Sequence, residues 1–236
     1  YIYMCWSKNV SLTMAVIGSI FTYYSYTSID KLWSFNIFYF TLMQLIHYIG
    51  YIYIDKCNNT INNLMSYLNY IHISFQPPVF ILGFASLLYK LKVINKQDFN
   101  ILMQFVYFAI LVSIFMLMRM FPFQIINSNF NLKKTGCVWC GDLCTYKGKY
   151  HVNFSLPLRN RPIYLTPTFF THFALIYLPF LLLMKSKVNL IMLLIFVTSL
   201  IPAVLFNISL SETGTLWCGI SILQFLISFL LLAFSR

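Results

Sequence analysis

The apolar positions of this chain gather into seven long runs and not into short alternating strands. They cover residues 10–26, 32–54, 65–89, 99–121, 168–184, 188–206 and 215–234. Most are long enough to cross about 30 Å of hydrocarbon as a helix rising about 1.5 Å per residue. Lys, Arg, Asp and Glu sit almost entirely between the runs, where they escape the several kcal/mol cost of burying a charge in lipid. The polar breaks at 28–31, 55–63 and 91–98 mark turns. The pattern predicts an all-α fold, a polytopic membrane bundle of about seven transmembrane helices forming a single integral membrane domain over residues 1–236. An extramembrane, cysteine-rich loop at 122–167 joins spans 4 and 5, and no internal repeat is visible. Tyr1 is not an initiator and Met4 opens Met-Cys-Trp-Ser, which points to a native start at Met4 or to a fragment. The start lacks a charged segment followed by a small-residue cleavage site, so the first span reads as an anchor and not a cleaved signal.

Composition agrees. The chain is 60% hydrophobic and 9% charged, against about 25% charged in soluble domains, which argues against a soluble enzyme. The charges are lopsided, 16 Lys and Arg against five acids. The net +11 spreads over both expected membrane faces and forms no stripe, so nucleic acid is not an expected partner and membrane lipid is. An odd number of spans puts the termini on opposite sides. Short connections on the N-terminal side carry Lys8 and Lys56; those on the other carry Lys31, Lys90, Lys92, Lys96, Lys185, Lys187 and Arg236. The positive-inside rule then places the C-terminus in the cytoplasm and the cysteine-rich loop outside it. The loop's own Lys133, Lys134, Lys147, Lys149, Arg159 and Arg161 run against this. All six cysteines, Cys5, Cys57, Cys137, Cys140, Cys144 and Cys218, fall on the loop side, as expected of an oxidising compartment. So do four glycosylation sequons, at Asn9, Asn58, Asn153 and Asn207.

The loop itself carries Cys137, Cys140 and Cys144, followed by His151. Three thiolates and an imidazole have the donor chemistry of a tetrahedral zinc site. The Cys-x-x-Cys pair also fits a redox couple, and simple disulfide stapling, with Cys5, Cys57 or Cys218 as partners, is the third reading.

Inside the spans the informative residues are polar. Gln44 and His47 lie on one face of span 2, and His72 and Gln76 on one face of span 3. Counted from the span ends, His47 and His72 each lie about 11 Å deep from the loop side, in one layer, and His172 about 7 Å deep. Pro77 and Pro78 remove the donors for the carbonyls of Ile73 and Ser74, so span 3 is expected to kink and expose acceptors, as in broken-helix binding sites. Glu212, the one Glu, starts span 7, either capping it or offering a carboxylate paired with Arg119.

Three functions follow. An enzyme would hold zinc on His47, His72 and His172, its bound water attacking a lipid or acyl group. His47, His72, Gln76 and Glu212 would be its catalytic residues, and Gln44, His172, Arg119 and Trp217 its ligand contacts. A haem held axially by His47 and His72 is a variant. A non-catalytic ligand-binding or transport protein would use the proline-broken span 3 with the loop as lid. A structural component, for instance of a viral membrane, would use the polar groups only to link helices.

Met4-Cys5-Trp6-Ser7, His72-Ile73-Ser74-Phe75-Gln76-Pro77, Cys140-Gly141-Asp142-Leu143-Cys144 with Gly148 and His151-Val152, Pro157-Leu158-Arg159 and Trp217-Cys218 carry a resemblance. Together they resemble an uncharacterised multi-pass membrane family of large DNA viruses, protists and bacteria. The resemblance implies a seven-helix membrane fold and no activity. Retinal proteins are similar only in span count, since span 7 has no Lys for a Schiff base. Membrane hydrolases related to alkaline ceramidase and the adiponectin receptors also gather histidines near one face, but their paired His-x-x-x-His on the last span is missing here.

Overall fold

The computed structural model describes residues 7–120, 139–149, 151–158, 169–183, 185–205 and 210–234. Among these residues seven helices stand where seven runs were expected: α1 (Lys8–Ser28), α2 (Lys31–Ile52), α3 (Thr60–Lys90), α4 (Lys96–Leu117), α5 (Phe169–Leu181), α6 (Ser186–Leu205) and α7 (Leu210–Phe234). A 3-10 turn, Met118–Met120, closes α4. Each of α1 to α4 starts on a side chain that answers free N–H groups. Ser7 accepts from Val10, Asp30 from Trp33, and Asn59 from Ile61 and Asn62. Asn95 and Asp98 form a reciprocal capping box.

Two helical segments, Thr60–Lys90 and Lys96–Met120, are by length and composition apolar enough to cross a membrane. Spanning length and apolarity thus coincide in two helices among the described residues, not in seven. Ser, Thr, Asn and Tyr interrupt α1 and α2, and the described apolar stretches of α5, α6 and α7 are shorter. The fold is also not purely helical. Two strands, β1 (Cys144–Lys147) and β2 (Val152–Ser155), pair antiparallel, with Cys144 opposite Ser155 and Lys147 opposite Val152.

Helix α2 packs between α1 and α3, and α3 packs on α4; α5 lies against α3 and α6, and α7 against α2 and α6. Close approach of α2 to α3 depends on Gly83, where a Cβ would collide with the Asn36 side chain. The core centre is aromatic. Trp33 meets Phe84 at 4.9 Å, Phe80 stacks on Phe84 at 4.5 Å, and Phe40 meets Phe225 at 4.8 Å and Trp217 at 5.6 Å. Such edge and offset contacts add about 0.5–1.5 kcal/mol per pair beyond area burial.

Two boundaries differ from the sequence reading, and both matter for the site. Helix α3 begins at Thr60, five residues before the expected start at Met65, because Asn62 and Ser66 on its first turns are buried against the hairpin. It also runs through Pro77 and Pro78 as one helix, so the expected break does not interrupt it. Helix α7 begins at Leu210, which places Glu212 inside its first turn.

The hairpin is tied to the α2–α3 connection by a Cys57–Cys144 disulfide across 87 residues of sequence. A disulfide typically stabilises by about 2–4 kcal/mol. Replacing Cys57 with Ser is expected to lower the thermal unfolding midpoint accordingly and to raise hydrogen exchange across 144–155 before the helices. Unchanged exchange there would mean that the bond does not hold the hairpin.

Candidate functional site

The candidate site lies where the hairpin docks on the helix ends. The hairpin docks through polar contacts that a buried strand needs. Asn62 donates from Nδ2 to the carbonyls of Thr145 (2.6 Å) and Tyr53 (2.8 Å), and its Oδ1 accepts from the Thr145 N–H (2.9 Å). Ser66 Oγ and Thr145 Oγ1 share a hydrogen bond at 2.8 Å. Asp55, held at a φ of 60° that Asp tolerates better than most residues, donates its N–H to Thr145 and accepts from the Lys147 N–H. Tyr51 accepts from the Val152 N–H through its hydroxyl. Gly50 lets Thr145 lie on α2, since a Cβ there would sit 3.3 Å from Thr145 Cγ2.

Glu212 fixes the turn. Its carboxylate accepts from the N–H groups of His151 (2.5 Å) and Lys149 (3.2 Å), and Gly148 leaves the room it needs. Arg119 stands elsewhere: buried at the end of α4, it meets Cys140 Sγ at 3.6 Å and faces the Tyr70 phenol. Glu212 therefore grips a backbone turn, and the alternative in which it pairs with Arg119 is not seen among the described residues.

All four histidines of the chain are buried, in two groups. The upper group is His47 and His151, with ring centroids 4.7 Å apart and nearly perpendicular. His151 Nδ1 donates to the Val152 carbonyl at 3.1 Å, which fixes the tautomer and leaves the Nε2 lone pair directed away from its own backbone. His47 is fully buried, and neither ring nitrogen finds a hydrogen-bond partner among the described residues.

The lower group is a chain of hydrogen bonds. His172 Nε2 donates to Gln76 Oε1 (3.3 Å), Gln76 Nε2 to His72 Nδ1 (3.5 Å), and His72 Nε2 to the Tyr39 carbonyl (2.7 Å). The Tyr39 hydroxyl in turn donates to the His72 carbonyl, and the two rings stack at 4.0 Å. His47 and His72 are thus staggered, not in one layer. With α3 starting at Thr60, His72 lies twelve residues, about 18 Å, along it. His47 lies five residues, about 8 Å, from the end of α2.

Zinc on His47, His72 and His172 requires their lone pairs to converge. His72 instead uses both nitrogens toward Tyr39 and Gln76. Among the described residues no group of three or more His, Cys, Asp or Glu side chains is placed to hold a metal ion. In the loop, Cys144 is bonded to Cys57 and Cys140 is also disulfide-bonded, so neither offers the thiolate that the alternative site with Cys137 and His151 requires. Cys137 lies outside the described residues, as do Cys5 and the cysteine-loop segment before Trp139. Trp217 belongs to the aromatic core and donates to Gln224 Oε1 at 3.1 Å. Gln44 is buried on the α2 face that carries His47.

His151 is the residue whose place sequence reasoning misjudged: read as a loop ligand, it stands over His47. Asn62, Ser66 and Asn69 extend the polar face of α3 that carries Gln76, at a helical spacing visible in the sequence. Asn69 is 1% exposed, and neither amide atom finds a partner among the described residues.

Burial pushes His151 from its ordinary 6.5 down to about 3. It stays neutral in the folded protein, while the unfolded chain protonates it near its ordinary value. Its contribution to stability is therefore intact above about pH 6.5 and is lost as the pH falls toward 3. His151→Gln is expected to flatten the pH dependence of the unfolding midpoint in that window by up to roughly 1.4 kcal/mol per pH unit. Identical slopes for variant and wild type would place His151 in water.

Residues 9–234 match a Family of unknown function (DUF5765). No curated protein and no solved structure matches the chain.

Proposed function

We propose that this chain, which belongs to that family of unknown function, is a multi-pass membrane protein that binds a small polar ligand or metal ion at His47 and His151, beneath an oxidised cap outside the cytoplasm. Its polarity is inverted relative to a soluble bundle. On α1, Ser11 and Ser25 are buried while Ile20 is 66% exposed; on α6, Ser199 is buried and Leu190 is 64% exposed. Helix α7 buries Ser221, Gln224 and Ser228 and turns Leu223, Ile227, Leu230 and Leu231 outward. Outer faces this apolar suit lipid, not water. The Lys-rich connections at the end opposite the hairpin support a cytoplasmic face there, and the disulfide supports an oxidising compartment at the hairpin.

The observation that carries the ligand reading is His47. An imidazole buried with neither nitrogen paired costs about 1–3 kcal/mol, and buried polar groups of native proteins are nearly always satisfied by protein, water or ligand. Imidazole is a common ligand for Zn, Cu and Ni. His151, oriented by its Nδ1–H bond to a carbonyl, has the arrangement usual for a metal-binding histidine. Hydrolysis of a lipid by a metal-bound water needs further protein ligands; His72 is committed through both nitrogens to Gln76 and Tyr39, and His172 is held through Nε2 to Gln76. Binding is therefore the reading the geometry favours over catalysis. The aromatic core below His72 favours a pocket reached from one side over a route across the bundle.

The test is His47→Leu, which removes the unpaired nitrogens and keeps a similar volume. In detergent-purified protein stripped by chelator, the variant is expected to unfold at the same temperature as wild type or higher. The upward thermal shift that Zn²⁺ or Cu²⁺ produces in wild type is expected to vanish in the variant. A stripped variant that loses several degrees would show His47 to be an ordinary satisfied core residue and would overturn the ligand reading. A metal shift that survives in it would place the metal elsewhere.

A further inference from the structure

Asn58-Asn59-Thr60 stands in the turn between α2 and α3, beside the disulfide. We propose that Asn58 is an N-glycosylation site. The sequon alone is a weak signal in an Asn-rich chain; what separates this one from the others is how the fold presents it. Asn58 and Thr60 are both exposed, so the acceptor amide and the hydroxyl two residues on are reachable together. The backbone at Asn58 is a turn, not helix or strand. It borders an open surface hollow lined by Asp55, Lys56, Cys57, Asn58 and Asn59. Asn59 is occupied in capping α3 through its Oδ1, which leaves Asn58 as the amide offered outward.

The other described sequons fail this test. Asn9 lies in the first turn of α1, and its hydroxyl partner Ser11 is fully buried. Asn153 is 4% exposed within β2, and its Oδ1 accepts from the Phe154 N–H. Asn207 lies outside the described residues. Reach also favours Asn58. The first ten residues of α3 include Asn62, Asn63, Ser66 and Asn69, and from Tyr70 to Tyr89 the helix carries no Asn and no charged residue. Ten helical residues measure about 15 Å, which sets the turn that far from the apolar part of α3.

The modification is a transfer from a lipid-diphosphate-linked oligosaccharide, catalysed by a secretory-membrane transferase. The Asn58 Nδ2 bonds to the anomeric carbon, the bond from that carbon to the diphosphate oxygen breaks, the lipid diphosphate leaves with the electron pair, and Nδ2 loses one proton. The oxidised Cys57 next door belongs to the same kind of compartment.

This inference rests on the proposed topology only for the side on which the hairpin stands. The experiment is expression of the full chain in a eukaryotic cell, followed by peptide-N-glycosidase treatment and gel mobility. Wild type and Thr60→Ser are expected to lose one mobility step on treatment; Asn58→Gln and Thr60→Ala are expected to migrate from the outset as the deglycosylated band. A wild type unmoved by the enzyme, or a shift that survives Asn58→Gln, overturns the proposal. Protease treatment of sealed microsomes separates the two causes of failure. A protected cap without glycan refutes Asn58 alone, whereas a digested cap refutes the sidedness as well.

Discussion

An apolar surrounding gives a polar group nothing to bond to, and the placement of almost every polar residue in this protein follows from that constraint. The acids show it most directly. Of five in the chain, Asp30, Asp55, Asp98 and Glu212 each accept from a main-chain N–H. Three of the four serve groups that a helix start or a tight turn leaves open, and Asp55 serves the edge of a strand. Asp30 extends the same economy by also accepting from Ser86 Oγ at 2.7 Å, linking α2 to α3. Carboxylates used this way are structural, and little acidic side chain is left over for chemistry.

The hairpin is the second consequence. A short two-stranded ribbon is marginal by itself, and β2 is buried along its whole length. It persists because its open edges meet donors and acceptors on the helix ends: Asn62 and Ser66 from α3, Tyr51 from α2, Glu212 from α7. The disulfide adds a covalent limit to how far the hairpin can drift. Side chains from three helices thus converge on one ribbon, and the ribbon's turn brings His151 over His47.

This explains how much the sequence could reveal. Helix number and order were legible because runs of apolar residues and capping side chains are local signals, read without knowing what packs on what. The start of α3 at Thr60 was not, because its first turns carry Asn62, Ser66 and Asn69, and the partners of Asn62 and Ser66 lie on a hairpin about 80 residues further along the chain. His72 lies further along α3 than a count from Met65 implies for the same reason, since the helix starts at Thr60. His47, His72 and Gln76 were recognisable as costly residues in an apolar setting. Their division into the hydrogen-bonded chain of His72 and Gln76 and the unpaired ring of His47 was not, since partners such as the Tyr39 carbonyl carry no mark in the sequence.

That division is what gives His47 its meaning. Many buried polar groups have a partner within hydrogen-bonding distance, down to the 2.7 Å bond from His72 to a backbone carbonyl, while Asn36 and Asn69 join His47 as buried side chains whose polar atoms find none among the described residues. His47 sits one turn from Gly50 with its ring 4.7 Å from that of His151, yet its nitrogens meet no partner among the described residues. Leu, Ile or Met would fill that volume without the cost. A residue that weakens the fold at a position where an apolar side chain fits is the pattern of a site kept for something outside the chain. The aromatic layer formed by Phe40, Phe80, Phe225 and Trp217 closes the bundle beneath. On the reading proposed here, whatever completes His47 arrives past the hairpin, so the disulfide and the Glu212 grip on the turn set the access to the site as well as the fold of the cap.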